Sequence, residues 1–313
     1  MSDVKGCIYI NGEYFSPDEA KLSVLDRAFW GVSVFDALSL INGYLFKVEA
    51  HIDRFFKSLK ATRIPPPLPR EELKDVIFET ARRSGLKGGE KKIDILTLKE
   101  IGITTIIASP GVPPPGKTME AKEIKPSLIV HTLPDVQRPT HLTAEKIFNE
   151  GIRVHISSTR NIPSQCLDQR IKSFNRMHHH LAVLDARDAG ADDVIMLDIY
   201  GNVSEGTYTN VWIAKDGSIF TPPGELLHGI TRDTVFEMAQ SENIKASELT
   251  MSPYDLYNAD EVFFSTTGGG IIPIVEVDKR RVADGKPRRI TKRLFNAYRE
   301  WHVNPKYATL VLE

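Results

Sequence analysis

The sequence predicts an α+β protein. Short strand-like runs are closed by Asn-Gly and Asp-Gly turns, two helical stripes follow the first strands, and a β-meander fills much of the second half. Cys7–Ile10 alternates like a strand and meets the Asn11-Gly12 turn. Pro17 breaks the pattern, and Val34–Ile41 then runs to a second turn at Asn42-Gly43 before a strand over 44–48. Ile52, Phe55, Phe56 and Leu59 recur at helical spacing and stop before Pro65, and Leu73, Val76, Ile77 and Ala81 form a second stripe ending near Gly85. Strand-like runs over 93–98, 104–108 and 127–133 come next, broken by the Pro- and Gly-rich stretch 109–116.

A polar, turn-rich segment over 135–140 is the expected linker, dividing an N-terminal α+β domain, 1–134, from a C-terminal domain, 141–313. Past it the patterning predicts a strand over 151–157, a helix over 173–189 and a strand over 194–197. A turn at Tyr200-Gly201-Asn202 leads to strands over 209–214 and 219–221, joined by Asp216-Gly217. A helix over 231–240 and a strand over 261–264 complete the series.

The chain has 313 residues, with 40 Lys+Arg against 41 Asp+Glu and a net charge of -1. That balance argues against nucleic acid or an anionic membrane as the main partner, since such surfaces require a basic excess. Hydrophobic residues at 41% and charged residues at 26% exclude a wholly disordered, collagen-like or disulfide-scaffold chain. The start, Met-Ser-Asp-Val-Lys-Gly-Cys, lacks the pattern of a signal peptide, and no apolar run reaches membrane-spanning length, so the expectation is a cytoplasmic protein. Cys7 and Cys166 are far apart with no metal-spaced partner, which favours two free thiols over one disulfide.

Individual candidates are weak alone. His178, His179 and His180 invite a metal site, but consecutive helical residues point about 100° apart and do not readily converge on one ion. Thr266-Thr267-Gly268-Gly269-Gly270 has the glycines of a phosphate cradle without the Gly-Lys-Ser/Thr ending. Gly229-Ile230-Thr231 opens a helix whose free N–H groups attract an anion, or it is an ordinary N-cap. By itself Lys172 reads as solvated, Arg54 as a surface helix residue paired with an acid, and Glu205 as a polar turn residue.

Their order carries more: Arg54, then Lys172, then Glu205 within Val203-Ser204-Glu205-Gly206-Thr207, then Gly-Ile-Thr-Arg-Asp, then Ser-Thr-Thr-Gly-Gly-Gly-Ile-Ile-Pro. Together these resemble the class-IV aminotransferases, fold type IV of the pyridoxal-phosphate enzymes, a family with branched-chain, D-amino-acid and (R)-amine members and aminodeoxychorismate lyase. The resemblance runs from Gly12-Glu13-Tyr14 through Trp301. It implies a two-domain, D-amino-acid-aminotransferase-like fold with an N-terminal α/β sandwich and a C-terminal β-barrel-like domain, assembled as a homodimer.

The resemblance also implies roles. Lys172 is expected to bond covalently to pyridoxal 5'-phosphate and later to shuttle a proton, tasks that suit an amine of lowered pKa. Glu205 is expected to face the pyridine nitrogen and keep it protonated. Arg54, Ile230, Thr231 and Thr267 are expected at the cofactor phosphate, and Phe35, Thr266 and Gly268 at the substrate. No metal is implied. The reaction implied is ping-pong transfer of an amino group from an (R)-amine or amino acid to a small 2-oxoacid such as pyruvate.

The run from Ser265 through Ile290-Thr291-Lys292-Arg293 to Trp301-His302, and Ser158-Thr159-Arg160-Asn161-Ile162-Pro163, look most like (R)-selective amine transaminases. Ile93-Asp94-Ile95 stands where branched-chain enzymes carry an arginine, and no Arg and His pair matches that of D-amino-acid enzymes. Lys99-Glu100-Ile101-Gly102 departs from the Thr-Arg-Gly of amine enzymes, and the aromatic residue they place just after the lysine is missing, replaced near Arg176 and Met177. Arg176 either binds a carboxylate or faces solvent. Branched-chain and D-amino-acid aminotransferases remain alternatives, as does an aminodeoxychorismate-type lyase. A non-catalytic binding protein on the same scaffold would need neither Lys172 nor Glu205.

Overall fold

The computed structural model describes residues 5–88, 101–114, 116, 125–134, 143–224 and 226–312. The expected strand over 93–98, the departures at Ile93-Asp94-Ile95 and Lys99-Glu100, and the expected linker 135–140 lie outside the described residues.

An antiparallel sheet of seven strands forms the first layer. Asn11-Gly12 joins β1 (Cys7–Ile10) to β2 (Glu13–Phe15), and Asn42-Gly43 joins β3 (Val34–Ile41) to β4 (Tyr44–Phe46). Helices α1 (Val48–Thr62) and α2 (Arg70–Arg82) follow, then β5 (Ile101–Ser109) and β6 (Ser127–Pro134). Both helical stripes do what their spacing predicts: Ile52, Phe55 and Leu59 of α1 and Leu73, Ile77 and Ala81 of α2 pack in one core with Leu38, Leu40 and Leu45.

After α3 (Ala144–Glu150) comes β7 (Ile152–Arg160), then α4 (Met177–Ala189), β8 (Asp193–Leu197), β9 (Val203–Gly206), β10 (Asn210–Lys215) and β11 (Ser218–Thr221). Helix α5 (Ile230–Ser241), β12 (Ala246–Glu248), α6 (Pro253–Tyr257), β13 (Glu261–Thr266), β14 (Gly270–Val277), β15 (Arg280–Arg281), α7 (Arg289–His302) and β16 (Ala308–Leu310) complete the chain. Six strands form a closed ring in the order β10-β13-β14-β7-β8-β9, and the Asn210–Glu205 pair between β10 and β9 closes it. Closure leaves these strands no free edge.

Both faces of the central barrel strands are covered, so they read as unbroken apolar runs. Val211, Ile213, Val262, Phe264 and Ile274 fill one core, while the alternating Trp212, Ala214 and Phe263 pack on Val235 and Met238 of α5 and Leu294, Phe295 and Tyr298 of α7. The last strand, β16, returns to pair with β4 in the first sheet. No helix among the described residues is long and apolar enough to cross a membrane.

The helix expected over 173–189 begins at Met177. The stretch leading into it is used otherwise: Ser173 bridges to Val34, and the Phe35 amide donates to the Lys172 carbonyl at 2.9 Å. Backbone groups committed to a strand edge are lost to the helical ladder.

Candidate active site

Lys172 belongs to the chain between β7 and α4 but is fixed to the first layer. Its carbonyl accepts from Phe35 on β3, and its amide donates to Ser58 Oγ on α1 at 3.3 Å. With the backbone held on both sides, Nζ stands 4.6 Å from the centre of the Phe35 ring and has no hydrogen-bond or ion-pair partner among the described residues. Burial drives its pKa well below 10.5, and the positive charges of Arg54 and Arg176 push the same way, against Asp36 and Glu205. Two of the expected substrate and cofactor residues, Phe35 and Lys172, are therefore in contact.

Arg54 is not the solvated helix residue its sequence context suggests. Asp36, fully buried on β3, takes Arg54 Nε at 2.8 Å and Nη2 at 2.9 Å in a fork, and His51 Nδ1 lies 2.7 Å from the same carboxylate. Burial alone would raise the Asp36 pKa, but Arg54 and His51 hold it below the ordinary carboxylate range. The remaining arm of Arg54, Nη1, donates to the His228 carbonyl at 3.0 Å, two residues before Ile230. Arg54, Ser58, Ile171, His228 and Ile230 share the lining of a cavity of about 510 Å³.

Ile230 and Thr231 occupy the first turn of α5. The helix starts at Gly229 with no side-chain cap, so its leading N–H groups are not satisfied by a capping residue. A Cβ at Gly229 would collide with Asn210 Oδ1. That same Asn210 donates through Nδ2 to the Leu227 carbonyl at 2.9 Å and to Glu205 Oε2 at 3.4 Å, tying the helix entrance to the barrel seam.

Glu205 lies within β9 rather than in a turn, and it is buried. Its partners are neutral: the Leu227 amide at 3.2 Å, Asn161 Nδ2 at 3.3 Å and Asn210. Burial pushes its pKa up to about 7, with Arg176 the largest opposing influence. Thr266 ends β13 and donates to the Tyr208 carbonyl at 2.8 Å, while Thr267 and Gly268 form the partly buried turn toward β14.

Asp36, Ser58, Asn161 and Asn210 were not found from sequence. One acid inside the apolar run Val-Phe-Asp-Ala-Leu-Ser-Leu-Ile was the available signal for Asp36, because a buried carboxylate requires a partner. For the two asparagines nothing local distinguished them from loop residues. His178, His179 and His180 follow Met177 in the first turn of α4, and no metal-holding cluster of three or more His, Cys, Asp or Glu occurs among the described residues.

Chemically, the site combines a low-pKa amine, a forked cation with an uncapped helix start, and a carboxylate lacking a contacting cation. Residues 33–277 match the family described as Amino-transferase class IV. The chain is 33% identical over 296 residues to a putative branched-chain-amino-acid aminotransferase of Methanocaldococcus jannaschii, covering 94% of this chain and 95% of that protein. It is 30% identical to a D-alanine aminotransferase of Staphylococcus haemolyticus, covering 94% and 98%. The branched-chain amino acid aminotransferase of T.th., solved with pyridoxamine 5'-phosphate, superimposes with a TM-score of 0.86 at 28% identity, over 98% of this chain and 99% of that one.

Proposed function

The chain belongs to the class IV aminotransferases, and we propose that it moves an amino group from an amino acid or (R)-amine to a small 2-oxoacid such as pyruvate, using pyridoxal 5'-phosphate. The observation that carries this reading is Lys172: an unpartnered amine whose pKa burial and two arginines depress, between the Arg54 fork and Glu205. When bound, the cofactor supplies the electron sink for deprotonation at the amine-bearing carbon. Lys172 holds it and moves the proton. Glu205 keeps a proton on the ring nitrogen, since a carboxylate with only neutral hydrogen-bond partners gains most from a facing cation. Arg54, the N–H groups of Ile230 and Thr231, and the Thr267 hydroxyl hold the phosphate.

Branched-chain and D-alanine relatives support an amino-acid donor, and the C-terminal run supports an (R)-amine. L-Leucine, D-alanine and (R)-1-phenylethylamine, added separately to protein loaded with pyridoxal phosphate, should bleach the near-visible band to different extents, and pyruvate should restore it. A protein with no such band after loading would sink the reading. Pyruvate release from aminodeoxychorismate without an acceptor would instead favour a lyase.

Val24, Leu25, Phe29, Trp30 and Val32 form a run of exposed apolar residues, Phe29 at 63% and Trp30 at 70%. That patch supports a homodimer, whose mass by light scattering would be twice 35.1 kDa. Cys7 and Cys166, both free, support a reducing, cytoplasmic setting.

A further inference from the structure

Arg176 stands just before α4 on an irregular residue, and its guanidinium is built into place. Nε donates to the Ser173 carbonyl at 3.1 Å. Nη1 lies 2.9 Å from His179 Nδ1 and donates to the Thr207 carbonyl at 3.3 Å. Because the guanidinium only donates, His179 Nδ1 must accept, which puts the proton of that ring on Nε2. His179 is buried, and burial with the adjacent Arg176 charge holds its pKa down to about 2, so the ring stays neutral and keeps accepting.

These contacts use Nε and Nη1 and leave Nη2 without a hydrogen bond among the described residues. The guanidinium carbon lies 5.4 Å from the centre of the Phe35 ring, the same ring that Lys172 Nζ approaches at 4.6 Å. Thr207 and Tyr208, which follow Glu205, connect Arg176 to Thr266 through the Tyr208 carbonyl. Arg176 thus sits among Phe35, Lys172 and the turn that holds Thr266. A cation there with a free donor suits a substrate carboxylate and finds no partner on an amine substrate that lacks one.

We propose that Arg176 is the specificity-determining residue that binds a substrate carboxylate, and that His179 is its positioning residue. The proposal rests on the aminotransferase reading above and narrows it to acidic substrates. Neither carboxylate position is presumed: the bound group is the one on the reacting carbon or one at the far end of a dicarboxylate.

The test is calorimetric titration of the cofactor-loaded protein with 4-methylpentanoate, with glutarate, and with 4-methylpentanamide as the uncharged control. Arg176→Met should weaken at least one acid by about 10- to 100-fold, the value of a hydrogen bond to a charged group, and leave the amide unchanged. Glutarate weakened alone assigns Arg176 to a distal carboxylate; both acids weakened alike assign it to the carboxylate on the reacting carbon. Unchanged binding of both acids, equal weakening of acid and amide, or no acid binding by the unsubstituted protein overturns the proposal.

If Arg176→Met does not fold, Arg176→Lys keeps the charge but loses the fork, and acid affinity equal to that of the unsubstituted protein overturns the proposal. His179→Leu should weaken the same acids less than Arg176→Met, and His179→Asn, which retains an acceptor near Nδ1, should recover part of the loss. Failure of the aminotransferase reading looks different: acids bind, but no amino donor bleaches the near-visible band.

Discussion

Asp36 and Glu205 are both buried carboxylates on strands facing the same lysine, yet their surroundings drive them in opposite directions. Asp36, on the first sheet, has the Arg54 guanidinium in direct contact and the His51 ring beside it, and is held below the ordinary range. Glu205, on the barrel seam, has three neutral amide donors, and burial pushes it up to about 7. Desolvation acts on both; a contacting cation decides the outcome. The acid on the first sheet is internally neutralised, whereas the acid on the barrel keeps an acceptor whose charge is completed by something else.

Substitution separates the two acids. Lys172→Ala should have the largest effect, lowering turnover by about 10⁴-fold or more and abolishing the near-visible band while the melting temperature holds. Retained turnover would remove Lys172 from the centre of the site. Asp36→Asn comes next and acts on stability, because it strands the Arg54 charge in the interior and weakens the hold on His51, at a cost of about 3–5 kcal/mol by denaturant unfolding. A neutral result there would mean that the Asp36–Arg54 pair does not hold this part of the first sheet.

Glu205→Gln should do the reverse, sparing the fold and reducing turnover by about 100-fold, within the range of removing one electrostatic stabiliser. It also tests the sign of the pH effect. The folded carboxyl titrates at about 7 against an ordinary value of 4.5, so between these values the folded chain holds the extra proton. The cofactor-free protein should therefore lose stability as pH rises through that window, on the order of 3 kcal/mol, and Glu205→Gln should flatten the slope. Thermal melts across that window read this directly; a steeper slope in the variant contradicts it. Gly229→Ala is the mildest, costing about 1–3 kcal/mol as its Cβ displaces Asn210, and should loosen cofactor binding more than it lowers the melting temperature.

Much of the frame was readable in the residues. Asn11-Gly12, Asn42-Gly43 and Asp216-Gly217 each close a hairpin, and the stripes over α1 and α2 bury the faces their spacing selects. Other elements are legible only in the folded chain. Leu294, Phe295 and Tyr298 give α7 a buried face, and β16 pairs only after the chain has crossed back to the first sheet. The delayed start of α4 was hidden because 173–176 has acceptable helical residues and loses its ladder only to a distant strand.

The sequence by itself determined the local elements, the family resemblance and the order of Arg54, Lys172, Glu205, the Gly229 helix start and the Thr266 turn, because these depend on residue type and short spacings. Tertiary structure alone decided which charges meet. The Asp36 fork spans 18 residues, and the Lys172 backbone is pinned to Ser58 across 114. A pKa is set by solvent exclusion and the nearest charge in space. That is why two acids on strands end up with opposite chemistry, and why Arg176 acquires a carboxylate-binding geometry only once Phe35, Thr207 and His179 surround it.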